Sequence, residues 1–234
     1  MLRLDGREAH HALNVLRLKR GELVAVLDGT GNEFLCAVEN SSRNAVTLSV
    51  SLKNSTPPPP CSITLMLAVP KGKIIESIIQ KAVELGARRI VPLLTERVIT
   101  SLDAEGAGQK RDKWQQSAIE AIKQCGAAWL PKVESPTAMV QVLARRETFD
   151  LSLVGSLQKE RRHPHECLDE FRVKCKRPPQ SVAVWIGPEG DFTPEELQAI
   201  QTSGAMPVSL GRLVLRVETA AIYCLSILNY ELNQ

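Results

Sequence analysis

The chain has 234 residues, of which 44% are hydrophobic and 24% charged, a composition typical of a globular protein with one large core or two smaller ones. Its formal net charge of +3 is too small to indicate general binding to polyanions, so any contact with nucleic acid must be local. Aromatic residues make up 4%, which argues against a platform on which bases stack. The opening residues MLRLDG contain two charges and no apolar stretch, so we predict no signal peptide and a cytoplasmic protein.

Histidines and basic residues cluster near the N-terminus. The cluster consists of His10, His11, Arg17, Lys19 and Arg20. We interpret it as a candidate RNA-binding surface, although a solvated helix end explains the same charges equally well. No strand is apparent before the histidine pair.

The region before a proline run has the pattern of a small β domain. Three segments are strand-like: 22–27, 33–38 and 45–52. Turn residues separate them, so we predict a small antiparallel β barrel. The run TPPPP at 56–60 favours extended polyproline geometry and cannot lie within a helix or a central strand. We therefore predict two domains, residues 1–58 and residues 59–234.

Beyond the prolines, the period of the apolar residues alternates between that of strands and that of helices. The predicted strands are 63–69, 90–94, 151–154, 182–186 and 208–210, and the predicted helices are 74–86, 112–125, 136–146, 194–203 and 218–232. This alternation predicts an α/β domain with a parallel sheet, for which an unknotted doubly wound topology is the physical default. The last helix has no charge between Glu218 and Glu231 and is too short for a membrane span, so we predict a core or interface helix.

A charged segment, residues 159–167, contains three candidate metal ligands. His163, His165 and Cys167 alternate there, but no second cysteine pair accompanies them. We therefore predict no metal and interpret the segment as a polar surface excursion. The six cysteines of the chain form no CxxC pair, so the default prediction is buried thiols.

Two glycine-containing loops near the C-terminus are the most informative features. IGPEGDF spans 186–192 and SLGRLVLRVETA spans 209–220, and each leads from an apolar strand through a glycine turn into a helix start. In such loops, backbone N–H and C=O groups can close around a small ligand. TPEE at 193–196 matches a capping box and needs no catalytic role. A plain strand-to-helix turn is the alternative for the first loop, and an ion pair between Arg216 and Glu218 is the alternative for the second.

Together these loops resemble the RsmE family of ribosomal RNA methyltransferases, which belongs to the knotted SPOUT superfamily. The family pattern is GPEGGF followed by LGxRILRxETA, and this chain has GPEGDF and LGRLVLRVETA, with departures at Asp191, Leu213 and Val217. The resemblance extends upstream through PKG at 70–72, QKAVELG at 80–86, TER at 95–97 and an N-terminal HHxxxVLR pattern. It covers most of the chain, although QCGA at 124–127 lacks an arginine that the family often has.

The resemblance implies an α/β fold: a SPOUT-like C-terminal domain with a trefoil knot and a parallel sheet, preceded by a small PUA-like β barrel that presents RNA. It implies S-adenosyl-L-methionine (SAM) as the cofactor and methylation of N3 of a specific uridine in small-subunit (16S) ribosomal RNA. The implied partners are 16S ribosomal RNA in the small ribosomal subunit and a second copy of the chain, with no membrane. Two alternatives stay open: a non-catalytic RNA-binding or ribosome-assembly module, and a SPOUT methyltransferase that acts on another RNA or base.

The resemblance also assigns candidate site residues. Those implied to bind the cofactor, mainly through backbone groups, are Gly155, Leu157, Ile186, Gly187, Pro188, Glu189, Gly190, Ser209, Leu210, Gly211, Val214, Leu215, Thr219 and Ala220. Arg216 is the candidate for stabilising an anionic uracil, and Glu189, Asp191 and Glu218 are candidate bases. Arg97 joins the N-terminal cluster as a candidate RNA-binding residue.

Overall fold

A computed structural model describes residues 1–97, 103–158 and 161–233 of the chain. The chain forms two compact units, Met1–Pro58 and Pro59–Gln234, and the division between them falls within the proline run. Each unit has a hydrophobic core of its own. The first unit contains an antiparallel sheet and the second a parallel sheet.

Unit 1 is an antiparallel sheet covered on one face by a short helix. Its strands are β1 (Leu2–Asp5), β2 (Leu23–Leu27), β3 (Asn32–Ser42) and β4 (Ala45–Ser55), in the spatial order β1-β4-β3-β2. Helix α1 (Gly6–His10) continues as a π-helical segment, His11–Val15. The small side chains of Ala9 and Ala12 form the core together with Cys36, Val38, Val46 and Leu48 of the sheet.

One feature of unit 1 differs from what the sequence suggests. The expectation of no strand before the histidine pair is wrong, because Leu2–Asp5 is a strand in which Leu2 pairs with Leu48 and Leu4 with Val46. Leu2 and Leu4 alternate with the charged Arg3 and Asp5, but the alternation covers only four residues, and the strand pairs with the edge of β4. Within residues 1–58, all of which the structure describes, β1 and β2 each pair with one neighbour, so backbone pairing gives a four-stranded sheet.

Unit 2 is built on a parallel sheet. Its strands are β5 (Ser62–Ala68), β6 (Ala87–Leu94), β7 (Lys132–Val133), β8 (Thr137–Ala138), β9 (Leu151–Gly155), β10 (Ser181–Ile186) and β11 (Met206–Val208). Its helices are α2 (Ile74–Glu84), α3 (Ala104–Cys125), α4 (Met139–Ala144), α5 (Pro164–Cys175), α6 (Pro194–Thr202) and α7 (Val217–Leu232). The strand order is β11-β9-β10-β5-β6-β7, with β8 also paired to β6, and every pair is parallel. The predicted α/β fold with a parallel sheet is confirmed, while the trefoil knot stays a prediction.

The two faces of this sheet belong to separate hydrophobic clusters. In β10, Val182, Val184 and Ile186 belong to one cluster, and Ala183 and Trp185 belong to the other. The first cluster includes residues of α2, α3, α5 and α7, and the second includes residues of α4 and α6. A strand that is buried on both faces has an almost continuous apolar sequence, which is why VAVWI predicts a strand so clearly.

Helix α5 lies where the sequence suggests a polar surface excursion, and that interpretation is wrong. Pro164 occupies the first turn, and the backbone N–H of His163 donates to the Glu166 carboxylate at 3.4 Å, both of which are common at helix starts. Within the helix, only Pro164, Cys167 and Leu168 are buried. The apolar stripe is therefore narrow, and the charges of the segment hide its period.

Helix α3 begins at Ala104, eight residues earlier than the sequence predicts. The Asp103 carboxylate accepts a hydrogen bond from the Gly106 backbone N–H at 2.8 Å and caps the helix. Two glycines in the first turns, Gly106 and Gly108, lower the helix propensity of this stretch and conceal its start.

The prediction of buried thiols holds for four of the six cysteines. Cys125 and Cys175 are exposed, because both lie at the last residue of a helix, where the polar surface begins. Burial raises the pKa of the Cys61 and Cys224 thiols to about 12, so both stay protonated at neutral pH. Among the helices of the described ranges, none combines the length and the apolar character needed to cross a membrane.

Candidate active site

Loops from four neighbouring strands meet at one edge of the parallel sheet. The carboxyl ends of parallel strands lie at the same edge, and β11, β9, β10 and β5 are consecutive neighbours in the sheet. The segments that follow these strands, together with the start of α7, line a cavity of about 560 Å³. A cavity of this size is typical of a binding site for a small organic ligand.

The wall of this cavity contains most of the residues that the sequence assigns to a cofactor. Those that line it are Gly155, Leu157, Ile186, Gly187, Pro188, Glu189, Leu210, Gly211, Val214, Leu215 and Ala220. The candidate catalytic residues Arg216, Glu218 and Glu189 line it as well. The structure places Gly190, Ser209 and Thr219 outside this wall.

Sequence reasoning assigned no role to several other wall residues. These are Lys71, Lys73, Ile74, Arg161 and Val217. The signal for the two lysines was available, since PKGK directly follows the apolar run of β5, at the edge where ligands bind. Arg161 had no comparable signal. Its guanidinium donates to the Ser156 carbonyl at 3.0 Å, which ties it to the loop that follows β9.

The loop after β10 is held from both sides. On one side, the Glu189 carboxylate accepts a hydrogen bond from the Lys71 backbone N–H at 2.9 Å. On the other side, the Arg97 guanidinium donates to the carbonyl of Gly190 and, at 3.4 Å, to that of Asp191. Glu189 and Arg97, assigned to catalysis and to RNA binding from the sequence, thus both position this loop.

The departure from the family pattern at Asp191 has a structural explanation. Asp191 has a φ of 62°, the left-handed region that favours glycine, and the family has glycine at this place. Aspartate tolerates this region better than most residues, because its side chain can bond nearby backbone. Here the Asp191 carboxylate accepts from the Phe192 backbone N–H at 2.8 Å. The loop therefore keeps its conformation despite the substitution.

Gly187 is the glycine of this loop that the surrounding atoms require. A Cβ atom there would lie 3.1 Å from Asp191 Oδ1, 3.2 Å from Phe192 Cδ2 and 3.2 Å from the Phe192 backbone nitrogen. At Gly190, by contrast, a Cβ atom would meet chiefly the flexible Arg97 side chain, at 3.2 Å from Cδ. Because Gly187 lines the cavity and Gly190 does not, a larger residue at Gly187 would displace the wall itself.

Arg216 and Glu218 stand at the start of α7 and face the cavity. Arg216 is exposed and Glu218 is half-buried. Among the described residues, neither side chain forms an ion pair or a hydrogen bond within the chain, so the alternative of a structural ion pair between them has no support. Their charges are therefore available to a ligand in the cavity.

The N-terminal candidates for RNA binding lie together in unit 1. His10 and His11 belong to the helical segment, while Arg17, Lys19 and Arg20 lie in the loop between that segment and β2. His10 Nδ1 is 3.1 Å from the Asn14 side-chain amide nitrogen, and Arg17 has a φ of 55°. The three basic residues are exposed, so they form a small positive surface.

The three residues considered as metal ligands have other environments. Cys167 is buried in the core of unit 2, where desolvation raises the pKa of its thiol. His165 lies between two carboxylates, 3.1 Å from Asp169 and 3.2 Å from Glu231. Within the described ranges, no group of three or more histidine, cysteine, aspartate or glutamate side chains converges as a metal site would require.

Two family models match this chain, and together with the fold they identify an RNA methyltransferase of the SPOUT class with an N-terminal PUA-like domain. The chain matches the RNA methyltransferase domain family over residues 57–229 and the RNA methyltransferase PUA domain over residues 4–51. The antiparallel sheet of unit 1 and the parallel sheet of unit 2 correspond to these two matches.

The chain belongs to the ribosomal RNA small subunit methyltransferase E (RsmE) family. It is 33% identical to the Synechocystis protein of that name, covering 97% of this chain and 72% of the relative. It is 29% identical to the Bacillus subtilis protein of that name, covering 97% and 89%. Among solved structures, a Legionella pneumophila methyltransferase in complex with the bound cofactor SAM has a TM-score of 0.87 and 32% identity, covering 98% of this chain and 91% of the other.

Proposed function

We propose that this protein uses SAM to methylate N3 of a uridine in small-subunit (16S) ribosomal RNA. The observation that carries the proposal is the cavity at the sheet edge, whose wall contains residues of both the GPEG and the LRVETA loops. Two of these residues, Arg216 and Glu218, have side chains with no partner in the described part of the chain. Membership of a family named for small-subunit ribosomal RNA supports the choice of substrate. From the proposed ribosomal RNA substrate, we infer that the protein acts in the cytoplasm.

The residues of the cavity fit SAM in size and in chemistry. Its volume of about 560 Å³ suits a nucleoside that carries a short charged chain. Apolar side chains such as Leu157, Ile186 and Leu210 offer contacts for an adenine ring, and wall carboxylates offer contacts for positive charge. Backbone N–H and C=O groups at Gly155, Gly187 and Gly211 offer hydrogen bonds to the cofactor. When bound, SAM supplies an electrophilic methyl group.

Arg216 has the position and the freedom to stabilise the uracil anion. N3 of uracil is a weakly acidic imide and must lose its proton before it attacks a methyl group efficiently. A guanidinium near the uracil oxygens stabilises the negative charge that results. Arg216 is exposed at the cavity rim, and its side chain has no acceptor among the described residues.

Glu218 is the better candidate for the base of this reaction. The Glu189 carboxylate already accepts the Lys71 backbone N–H, and the Asp191 carboxylate accepts that of Phe192. Glu218 lines the cavity without such an engagement in the described chain. We therefore assign proton removal to Glu218, and we assign to Glu189 and Asp191 the shape of the loop.

We also propose a homodimer that forms through α7. Tyr223 and Tyr230 lie seven residues apart, on the same face of this helix, and are 41% and 71% exposed. Leu213 and Val214, which precede the helix, are 79% and 77% exposed. Large side chains exposed in this way are typical of an interaction surface.

Unit 1 is proposed to bind ribosomal RNA through its basic loop, and charge reversal tests this role. N3 lies on the Watson–Crick edge, so the uridine must be unpaired or extruded, and the surrounding RNA needs separate contacts. Replacing Arg17, Lys19 and Arg20 with glutamate should weaken binding to small ribosomal subunits by about tenfold or more and flatten its salt dependence. SAM affinity should not change. The same reversal at the exposed residues Lys132, Lys174 and Lys176 is the control, and equal losses in both variants would contradict the assignment.

Nucleoside analysis tests the reaction directly. Small-subunit ribosomal RNA from cells with and without this gene should differ by one N3-methyluridine, measured by mass spectrometry after digestion. Purified protein and SAM should restore the modification on small subunits from the cells that lack the gene. A different methylated nucleoside would change the proposed base, and identical profiles would indicate a non-catalytic RNA-binding module.

A further inference from the structure

A second cavity lies beside the candidate active site, within unit 2, and its lining is strongly basic. Its volume is about 380 Å³. Lys71, Lys73 and Glu189 line both cavities, so the two share a wall. We call this second cavity the basic groove, and its characteristic residues are Lys71, Lys73, Arg97, Lys110, Lys113 and Trp114.

The charge of the basic groove is large for this chain. Among the described residues, five cationic side chains line it, against two carboxylates, Glu76 and Glu189. The excess of three positive charges equals the formal net charge of all 234 residues. A protein with a small net charge needs a local concentration of positive charge to bind nucleic acid. The basic groove is such a concentration, and it lies next to the candidate active site.

Both carboxylates of the groove have partners, while three of its four described lysine amines contact no carboxylate of the described chain. Glu76 pairs with Lys113 at 2.6 Å, and Glu189 accepts from the Lys71 backbone N–H at 2.9 Å. Within the part of the chain that the structure describes, the side-chain amines of Lys71, Lys73 and Lys110 contact no carboxylate. They are therefore free to bind an anion.

Trp114 is the aromatic residue in the lining of the groove. The Trp114 side chain is buried, with 3% of the residue exposed, so its ring cannot stack on a base. The Lys110 ammonium lies 5.9 Å from the centre of the ring and is held above it by a cation–π contact. The groove thus offers positive charge beside an aromatic ring that a base cannot reach, which suits phosphate groups of a nucleic-acid backbone.

We propose that the basic groove binds backbone phosphates of the RNA next to the nucleotide that enters the active site. This inference rests on the proposed function, because it takes the RNA strand as the source of the phosphates. A strand that places its base in the first cavity and continues over the shared wall would bring its adjoining phosphate to Lys71 and Lys73, which line both cavities. Lys110 of α3 would then contact the next phosphate along the strand, and Lys113, which pairs with Glu76, would add positive charge beside it.

Neutralising the two lysines of α3 tests the groove, because these residues line the groove and not the first cavity. The double variant Lys110→Gln, Lys113→Gln is compared with Arg111→Gln, Lys123→Gln, which removes the same charge from the same helix outside both cavities. The measurement is steady-state methylation of small ribosomal subunits from cells that lack the gene, at several salt concentrations. The groove variant should raise KM about tenfold over the control, leave kcat within twofold, and lower the salt slope of log KM by about 1.5.

The outcomes separate this inference from the proposed function. A KM increase below fivefold over the control overturns the inference that the groove binds RNA phosphates. Methylation of ribosomal RNA by the unmodified protein would in that case still support the proposed function. No methylation of ribosomal RNA by the unmodified protein overturns both. The double variant Lys110→Arg, Lys113→Arg keeps the charge, so its KM should stay within twofold of that of the unmodified protein. A KM as high as that of the glutamine variant would show that charge is not the cause, and it would overturn the inference. SAM affinity, measured by calorimetry, should be equal in all variants if their folds are intact.

Discussion

Replacing Arg216 with alanine is expected to lower the rate of methyl transfer by about a hundredfold or more, as is usual when a single group that stabilises an anion is lost. The expectation follows from the position of Arg216 at the cavity rim and from the absence of any acceptor for its side chain within the described residues. SAM affinity should change little, because the residue is assigned to uracil and not to the cofactor. Single-turnover methylation of small ribosomal subunits, with calorimetry of SAM binding, measures both effects.

Two further variants show whether the loss at Arg216 is specific. Arg216→Lys should recover little activity, since lysine keeps the charge but loses the planar fork of the guanidinium. Arg212→Ala is a matched control, because Arg212 lies in the same loop, is exposed and does not line the cavity. Its rate should stay within about threefold of the unmodified protein, as for surface groups outside a site. Equal rates for the Arg216→Ala and Arg212→Ala variants would remove Arg216 from the chemistry.

Replacing Gly187 with valine is expected to weaken SAM binding by about a hundredfold or more, because the added methyl groups force the cavity wall to shift. The first added atom alone would lie 3.1 to 3.2 Å from Asp191 and Phe192, including a backbone nitrogen that cannot rotate away. Gly187→Ala should cause a smaller loss. Calorimetry of SAM binding to the full chain measures the series.

Gly108→Val is the control for this series, because a Cβ atom at Gly108 meets no atom of the described residues within 4 Å. That variant should bind SAM as the unmodified protein does and should be no less stable, since glycine is a poor residue within a helix. If Gly187→Val bound SAM with unchanged affinity, the loop after β10 could not form part of the cofactor site.

The sequence predicts the parallel sheet well because its central strands are buried on both faces. VAVWI in β10 and ITLML in β5 leave few structural alternatives to a core strand. Elements with weaker internal signals depend on their neighbours. β1 alternates over only four residues and pairs with the edge of β4, and α5 packs through a narrow stripe around Cys167 and Leu168, so both are weak signals in the sequence.

The candidate site was predictable in its loops and less so in the details of its side chains. Glycines and apolar strand ends mark where a chain can surround a ligand, so most of the cavity wall follows from the two motifs. A pattern cannot show which glycine has crowded neighbours, and Gly187 rather than Gly190 has that role. Nor can a pattern show that the side chains of Glu189 and Arg97 form hydrogen bonds that hold the loop. Their partners, Lys71 for Glu189 and Gly190 for Arg97, lie far from them in sequence.

The position of the cavity wall along the chain also determines when during synthesis the cofactor can first bind. β11 is the last strand in the chain and lies at the sheet edge beside β9, and the segment after it provides the wall from Leu210 to Ala220. A nascent chain whose residues up to β10 have left the ribosome still lacks that wall, although most of its sheet can already pair. Because a ligand stabilises only the state that binds it, SAM would stabilise the finished domain and give no help to earlier folding intermediates.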